Sequence, residues 1–184
     1  MITEYFDLPI LGWIAQNLRC PALDTIFPVI THLGDAGAIW ILLSAALLCI
    51  PKYRKVGLSM AMALLMGLLV CNLTLKPLVA RMRPFDYQLL HFGKEIQLLI
   101  PAPTDFSFPS GHTNASFAAA TALLLRNRKL GIPATVLAAL IAFSRLYLYV
   151  HYPTDVLASI VLGAGVAFLA NYFVNKGYAL YKDK

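Results

Sequence analysis

The sequence contains little charge. Only 13% of its 184 residues are charged, 59% are hydrophobic, and the mean hydropathy is +0.70. Since a soluble domain carries about 25% charged residues, this composition excludes an ordinary soluble domain and indicates an integral membrane protein. The formal net charge is +6, but the basic residues form neither a stripe nor a patch interleaved with aromatic residues. This distribution argues against a nucleic-acid partner.

Other signals are also missing. The three cysteines, Cys20, Cys49 and Cys71, form no metal-spaced pair, and we interpret them as packing residues. No signal peptide is evident, since Glu4 and Asp7 lie where positive charge would precede an apolar core. No group of Asp, Glu and His has the spacing of a metal site, and no segment repeats at a fixed period. We therefore expect one domain with no metal and no cofactor.

Apolar segments predict a helical membrane bundle. They cover residues 36–50, 57–75, 111–125, 130–150 and 156–174. About 20 residues cross a hydrocarbon core of about 30 Å, so the two shortest segments need flanking residues. Residues 1–34 are apolar but interrupted by charges and proline, which predicts amphipathic interfacial helices or one broken span. We predict an all-α polytopic bundle of five to six transmembrane helices in one domain, residues 1–184, with a helical core over 35–174.

Basic residues predict the orientation of this bundle. Nine of the fifteen Lys and Arg residues lie in the connections 51–56 and 126–129 and in the tail 175–184. All three regions fall on one side of the predicted membrane, and the positive-inside rule assigns that side to the cytoplasm. The other ends of the same helices then face the extracytoplasmic side. Three motifs that contain histidine, carboxylate or cationic side chains lie at those ends.

The first motif holds Lys76 and Arg83, followed by Pro84. The two cations are seven residues apart, about two helical turns or roughly 10 Å. On a continuing helix they share a face and can grip one anion, and Pro84 marks the expected helix end. Cations at span ends also commonly extend to lipid headgroups. We assign that anchoring role to Arg81, which lies off the shared face.

The second motif is Pro109, Ser110, Gly111 and His112. Ser110 is a good N-cap residue, and Gly111 permits a close approach of the backbone. A helix N-terminus offers free amides and a partial positive charge to a phosphate, and His112 falls in its first turn. Taken alone, the same four residues are also an ordinary helix cap.

The third motif joins Arg145, His151 and Asp155. Pro153 suits the first position of a helix, which places Asp155 in its first turn. The spacing then lets Asp155 bind one imidazole nitrogen of His151 and leave the other as a nucleophile. The planar fork of Arg145 suits phosphate oxygens. A His near an Asp is often only a structural pair, but this group faces a second His and two further cations at one membrane boundary.

In order and spacing, Lys-x6-Arg-Pro, Pro-Ser-Gly-His and Ser-Arg-x5-His-x3-Asp resemble the three signature motifs of the type 2 phosphatidic acid phosphatase superfamily. The resemblance covers roughly residues 33–173 and points to small, membrane-embedded bacterial members. It implies a metal-independent lipid phosphatase with a phosphohistidine intermediate, acting at the outer face of the bacterial inner membrane. It assigns His151 as nucleophile, Asp155 as its orienting partner and His112 as general acid. The implied phosphate-binding residues are Lys76, Arg83, Ser110, Gly111 and Arg145.

The substrate implied by this resemblance is a lipid phosphate in the bilayer. Similar bacterial proteins act on undecaprenyl pyrophosphate, phosphatidylglycerol phosphate, phosphatidic acid or lipid A phosphates. We favour undecaprenyl pyrophosphate, because every walled bacterium recycles it on the outer leaflet, although no residue discriminates its chain from a diacylglycerol. The alternatives are a lipid phosphotransferase, a non-catalytic lipid-phosphate binder and a vanadium haloperoxidase, whose known members are large and soluble. The connection 85–108 either caps the entrance or rests on the bilayer.

Overall fold

The computed structural model describes residues 2–182, which form an α-helical bundle without strands. The predicted all-α class is therefore confirmed. π-Helical turns at Thr3–Asp7 and Leu68–Leu75 precede α1 and connect α4 to α5. The α-helices of these residues are α1 (Leu8–Asn17), α2 (Pro21–His32), α3 (Ala38–Cys49), α4 (Arg54–Gly67), α5 (Lys76–Val79), α6 (Pro84–Phe92), α7 (Gly111–Arg126), α8 (Arg128–Tyr147) and α9 (Pro153–Lys182).

Helix α7 lies at the centre of the bundle, where it packs against α4, α8 and α9. Small side chains let helix backbones approach closely in a membrane. On α9, a Cβ added to Gly163 would lie only 2.7 Å from the carbonyl oxygen of Asn114. Small residues thus set the spacing between α7 and its neighbours. The fully buried alanines of α7 are Ala118, Ala119, Ala120 and Ala122.

The helices match the predicted apolar segments, but the number of spans is not confirmed. Among residues 2–182, Pro51–Phe92, Arg128–Tyr147 and Pro153–Leu180 are long and apolar enough to cross a membrane. A fourth crossing is the pair Pro21–His32 and Asp35–Cys49, whose halves are bent by 44°. Helix α7 has 16 residues, or about 24 Å, which is shorter than the hydrocarbon core. Three to four helices of the described residues thus meet this criterion of length and composition, and the five to six spans stay a prediction.

The outer surface of the bundle is apolar. Leu42 is 69% exposed on α3, Leu73 is 63% exposed after α4, and Val161 is 71% exposed on α9. Such side chains are stable against lipid but costly in water. The surface thus agrees with the long apolar helices in indicating a membrane protein.

The three cysteines lie in different environments. Cys71 is buried, whereas Cys20 and Cys49 are exposed. The predicted packing role therefore holds for Cys71 alone. Cys20 precedes α2 in an extended conformation, and Cys49 ends α3.

The two ends of the bundle differ in chemistry. At one end, Arg126 donates hydrogen bonds to Ser59 Oγ at 2.7 Å and to Asn175 Oδ1 at 3.1 Å, beside the basic connections. At the other end, the α2–α3 turn, the end of α5, the start of α7 and the end of α8 come together. All three motifs lie at this second end, as the segment pattern predicts.

The N-terminal helices belong to the motif end. Helices α1 and α2 pack against α8, and the rings of Phe27 and Tyr147 lie 4.5 Å apart between their centroids. The Tyr147 hydroxyl also donates to Asp24 Oδ1 at 2.6 Å. From the connection 85–108, residues 98–100 pack into the same cluster and residues 100–105 line the central cavity. This connection therefore covers the site, which favours the first of its two predicted roles.

Candidate active site

Two of the predicted phosphate-binding cations meet on one carboxylate. Arg83 donates from Nη2 to Asp105 Oδ1 at 2.5 Å and from Nε to the Asp105 carbonyl oxygen at 2.7 Å. Its Nη1 donates to the carbonyl oxygen of Val150 at 2.6 Å. The ammonium of Lys76 forms an ion pair with the same Asp105 carboxylate. Both cations are buried, and these contacts offset the free-energy cost of removing their charges from water.

The helix expected to join these two cations does not continue. Helix α5 ends at Val79 because Ala80 adopts a left-handed conformation, with φ of +47°. Arg83 is extended, with φ of −76° and ψ of 156°, because the residue before a proline is disfavoured in the helical conformation. The predicted shared helical face is therefore wrong. Lys76 and Arg83 converge instead through the bend between α5 and α6.

Arg145, in the last turn of α8, supplies the third cation. It is 3% exposed, and its Nη1 donates to Thr31 Oγ1 at 2.6 Å. Its buried Nε has no hydrogen-bond partner among the described residues. A buried donor without a partner is costly, so Arg145 presents an unused N–H group suited to an anion.

His151 lies in the turn between α8 and α9. Tyr149 begins this turn in a left-handed conformation, with φ of +61°, which is uncommon outside glycine and marks a constrained backbone. His151 is 1% exposed, and its Nε2 lies 3.4 Å from Arg83 Nη1. Burial and the neighbouring charges of Arg83 and Arg145 lower the pKa of His151 to about 3, outweighing the opposite effect of Asp155. At neutral pH the imidazole is therefore uncharged, as a nucleophile requires.

Asp155 is buried and accepts hydrogen bonds from several groups. Its Oδ2 accepts from Ser107 Oγ at 2.5 Å and from the backbone N–H of Tyr152 at 2.9 Å. Its Oδ1 accepts from Arg81 Nη1 at 2.5 Å. The predicted partner, His151 Nδ1, lies 3.6 Å from Oδ2, which is beyond a normal hydrogen bond. The two residues are adjacent as predicted, with Asp155 held from its other sides.

Arg81 does not extend to the headgroups, so the predicted anchoring role is wrong. Its side chain is 19% exposed and pairs with both Asp155 and Asp7, the second at 2.7 Å. Asp7 is fully buried and also accepts from the backbone N–H of Thr154 at 2.9 Å. Arg81 lies over the ring of Tyr152, with the guanidinium carbon 3.9 Å from the ring centroid. The N-terminal turn thereby braces the start of α9, where Asp155 sits.

Ser110 caps α7 as predicted. Its Oγ accepts from the backbone N–H of Thr113 at 3.4 Å, and its own N–H donates to Ser159 Oγ at 2.8 Å. Ser110 is fully buried, and its amide is already paired. Gly111 and His112 line the cavity, whereas Ser110 is not among its lining residues.

His112 contacts a carboxylate that the motifs do not contain. Its Nε2 lies 2.9 Å from Asp35 Oδ1, and Asp35 Oδ2 lies 2.7 Å from His32 Nδ1. Asp35 belongs to the turn between α2 and α3. The N-terminal third of the chain, which carries no motif, therefore reaches the site at Asp35 and at Thr31.

These side chains surround one end of a cavity of about 970 Å³. The rest of the cavity runs between α3 and α4 and is lined mostly by apolar side chains, together with the polar Ser44, Asn72 and Asn114. Among residues 2–182, no group of three or more His, Cys, Asp and Glu residues is arranged to hold a metal ion. The cavity thus combines a cationic end with an apolar channel. The apolar lining includes Ile41, Ala45, Leu48, Ala61, Leu64, Leu65 and Leu68.

Sequence reasoning missed four groups at this site: Asp7, Asp35, Asp105 and Ser107. Burial alone would raise the pKa of Asp105, but Lys76 and Arg83 outweigh it and lower the pKa to about 2. Asp105 is therefore ionised at neutral pH and lies where an anion would bind. One signal was available, since an isolated carboxylate in an apolar stretch needs a charged partner.

The family model of the PAP2 superfamily matches residues 53–178 of the sequence. These residues contain all three motifs and the bundle around α7. The chain belongs to the PAP2 superfamily. PAP2 stands for the type 2 phosphatidic acid phosphatases, so the resemblance seen in the motifs is confirmed.

Among its PAP2 relatives, the chain is 35% identical to an undecaprenyl-diphosphatase of Sulfolobus acidocaldarius over 72% of this chain and 62% of that protein. It thus spans less than two thirds of that relative. It is also 35% identical to the undecaprenyl-diphosphatase BcrC of Bacillus subtilis, over 80% of this chain and 72% of BcrC. The crystal structure of a transmembrane PAP2 phosphatidylglycerolphosphate phosphatase from Bacillus subtilis superposes with a TM-score of 0.71 and 28% identity, covering 95% of this chain and 87% of that one.

Proposed function

We propose that this protein is a membrane-embedded lipid phosphatase that removes a terminal phosphate through a phosphohistidine on His151. One observation carries the proposal: His112, His151 and the cations Lys76, Arg83 and Arg145 line one end of a cavity whose remainder is mostly apolar. The cationic end suits a phosphate. The apolar channel suits the chain of a lipid.

In the first half of the reaction, neutral His151 attacks phosphorus and His112 donates a proton to the leaving oxygen. The transferring group spreads negative charge over its oxygens. Lys76, Arg83 and Arg145 stabilise that charge from fixed, buried positions, where such groups are most effective. Substrate phosphate takes the place of the Asp105 carboxylate on Lys76 and Arg83.

In the second half, His112 accepts a proton from water, and the resulting nucleophile breaks the phosphorus–nitrogen bond at His151. Inorganic phosphate leaves, and His112 is protonated again for the next cycle. Asp155 orients the imidazole of His151 during both steps. Asp155 suits that role, because Ser107, the Tyr152 amide and Arg81 fix its carboxylate.

Undecaprenyl pyrophosphate is the substrate we favour, at the outer face of the bacterial inner membrane. The names of the two undecaprenyl-diphosphatase relatives support this choice. The placement of the basic connections at the opposite end of the bundle supports the outward orientation. Phosphatidylglycerol phosphate is the second candidate, favoured by the structural neighbour that superposes over 95% of the chain.

The proposal is tested by phosphate release from purified protein in detergent, with undecaprenyl pyrophosphate, phosphatidylglycerol phosphate, phosphatidic acid and a lipid A phosphate compared at equal concentration. We expect the highest kcat/KM for undecaprenyl pyrophosphate, activity in excess EDTA and inhibition by vanadate. Phosphorylated acceptor without free phosphate would identify a phosphotransferase. Binding of these lipids without turnover would identify a non-catalytic protein. Activity lost in EDTA and restored by magnesium would contradict the mechanism.

A further inference from the structure

The two histidines of the site differ in where their carboxylates come from. Asp155 follows His151 by four residues, whereas His112 meets Asp35, which lies 77 residues away in the chain. The Asp35 carboxylate is shared, because its second oxygen binds His32 Nδ1 at 2.7 Å. His32 therefore fixes the rotation of the carboxylate that faces His112.

The backbone of the α2–α3 turn is shaped for this contact. A Cβ added to Gly34 would lie 2.8 Å from His112 Cδ2, so only glycine lets the turn approach the imidazole. Ala36 and Gly37 are both left-handed, with φ of +50° and +69°, and they turn the chain back into α3. Ala36 adopts this conformation without the freedom of glycine. The turn thus brings Asp35 to the imidazole through constraints in its backbone.

Charges around His112 explain why a carboxylate is needed there. Burial opposes a charged imidazole at this position, and so do the cations Arg145, from α8, and Lys76, from α5. Two neighbouring cations oppose a protonated imidazole, yet the general acid must begin the reaction protonated. Asp35 is the carboxylate that forms a hydrogen bond with His112, and His32 lies beyond it.

We propose that Asp35 is a positioning residue for the general acid, His112, an inference that rests on the proposed phosphatase function. Asp35 accepts the Nε2–H of His112, which leaves Nδ1–H to serve the leaving oxygen. When the phosphorus–oxygen bond breaks, its electron pair stays on the leaving oxygen and the Nδ1 proton moves to that oxygen. His112 is then neutral and still donates Nε2–H to Asp35. In the second half, Nδ1 takes a proton from the attacking water.

The proposal is tested with Asp35→Asn and two soluble substrates of similar size, phenyl phosphate and p-nitrophenyl phosphate. Phenolate is a basic leaving group that needs a proton, whereas nitrophenolate is a stable anion that does not. General-acid catalysis contributes about 100-fold or more, so we expect Asp35→Asn to lower kcat/KM for phenyl phosphate by about 30-fold. The same variant should lower kcat/KM for p-nitrophenyl phosphate by less than about threefold, because kcat/KM reports phosphoenzyme formation, in which Asp35 supports only protonation of the leaving group.

Two further variants serve as controls. Asp35→Glu keeps the carboxylate and should restore at least part of the phenyl phosphate activity, whereas Asp86→Asn, at an exposed position on α6, should leave both activities unchanged. Equal losses on the two substrates, or no loss on either, would overturn the positioning role while leaving the phosphatase function intact. Failure of the wild-type protein to release phosphate from any lipid contradicts the proposed function instead. Failure on the two aryl phosphates as well overturns both.

Discussion

His151 and His112 carry different parts of the proposed reaction, and single substitutions separate them. His151→Ala should abolish the phosphoenzyme, because it removes the attacking nitrogen. His112→Ala should leave the phosphoenzyme detectable and slow both its formation and its breakdown, by about 100-fold or more for lost acid–base catalysis. Quenching in alkaline SDS, which preserves a phosphohistidine, after mixing with substrate labelled in its phosphate measures both. Acid-labile label retained on His151→Ala protein would assign the nucleophile to another residue.

The buried position of His151 also sets its response to pH. Burial, together with Arg83 and Arg145, lowers the pKa of His151 to about 3. A lowered pKa means that the imidazole stays neutral as the pH falls through 6.5, where an ordinary histidine gains its proton. Ring signals of ¹⁵N-labelled histidine, recorded by NMR in detergent and assigned with His151→Gln, should show no titration of His151 between pH 8 and pH 5. A midpoint near 6.5 would contradict this environment.

Asp105 competes with the substrate for two cations. Its carboxylate pairs with Lys76 and Arg83 and is ionised at working pH. Asp105→Asn should therefore tighten inhibition by vanadate by about tenfold, equivalent to about 1.4 kcal/mol. The inhibition constant of vanadate measures this, with Asp86→Asn as the control for loss of an acidic charge elsewhere. Weaker inhibition in Asp105→Asn would mean that Asp105 holds the cations in place for phosphate.

The sequence predicts which residues form the site better than it predicts the contacts of those residues. Spacing along the chain places Asp155 beside His151, because four residues at the start of a helix bring them together. Asp35 reaches His112, and Arg81 reaches Asp7, across more than seventy residues. Local periodicity contains no information about such contacts. Arg81 was misassigned for this reason, since its two carboxylate partners lie on other elements.

Among the elements, the helix interiors follow the apolar pattern and the helix ends do not. Helices α3, α7 and α8 begin and end within a few residues of the predicted segments. The helix through Lys76 was expected to continue to Arg83, but it stops at a left-handed Ala80. Hydropathy identifies residues that lipid or a neighbouring helix covers. It does not identify a single residue in a left-handed backbone conformation, because that conformation depends on tertiary contacts.

Close contact between α7 and α9 makes a prediction about stability. A Cβ on Gly163 would lie 2.7 Å from the Asn114 carbonyl oxygen and 3.0 Å from the Ala118 nitrogen. Gly163→Ala should therefore destabilise the protein by about 1–3 kcal/mol through overpacking. Gly165→Ala is the matched control on the same helix, because no heavy atom lies within 4 Å of its Cβ. It should be neutral or stabilising by up to about 1 kcal/mol.

Thermal unfolding in detergent, followed by the loss of monodisperse protein on size exclusion, distinguishes the two glycines. The melting temperature of Gly163→Ala should fall below that of the wild type, while Gly165→Ala matches or exceeds it. Equal melting temperatures for the two variants would show that the helices separate easily. The absence of a side chain at Gly163 would then not determine the spacing between α7 and α9.

Positive charge is distributed unevenly along the axis of the bundle. The ends of α4, α7 and α9 opposite the motifs carry the basic connections, where Arg126 joins Ser59 and Asn175. The motif end holds cations as well, but three of them pair with carboxylates there: Lys76 and Arg83 with Asp105, and Arg81 with Asp7 and Asp155. The basic connections 51–56 and 126–129 contain no acidic residue. The positive-inside rule therefore predicts that the end with these connections faces the cytoplasm.

Labelling of single cysteines tests this orientation. The native residues Cys20, Cys49 and Cys71 are first replaced, and a cysteine is introduced at Gly177 or at Gln97. Both sites are exposed, and a Cβ at Gly177 meets no atom within 4 Å. In intact cells, an impermeant maleimide should label Gln97→Cys, in the connection beside the site, and should leave Gly177→Cys unlabelled until the cells are opened. Phosphate release by each variant confirms that it is folded. The reverse pattern would place the site on the cytoplasmic face, where an outer-leaflet lipid cannot reach it, and undecaprenyl pyrophosphate would lose its main support as the substrate.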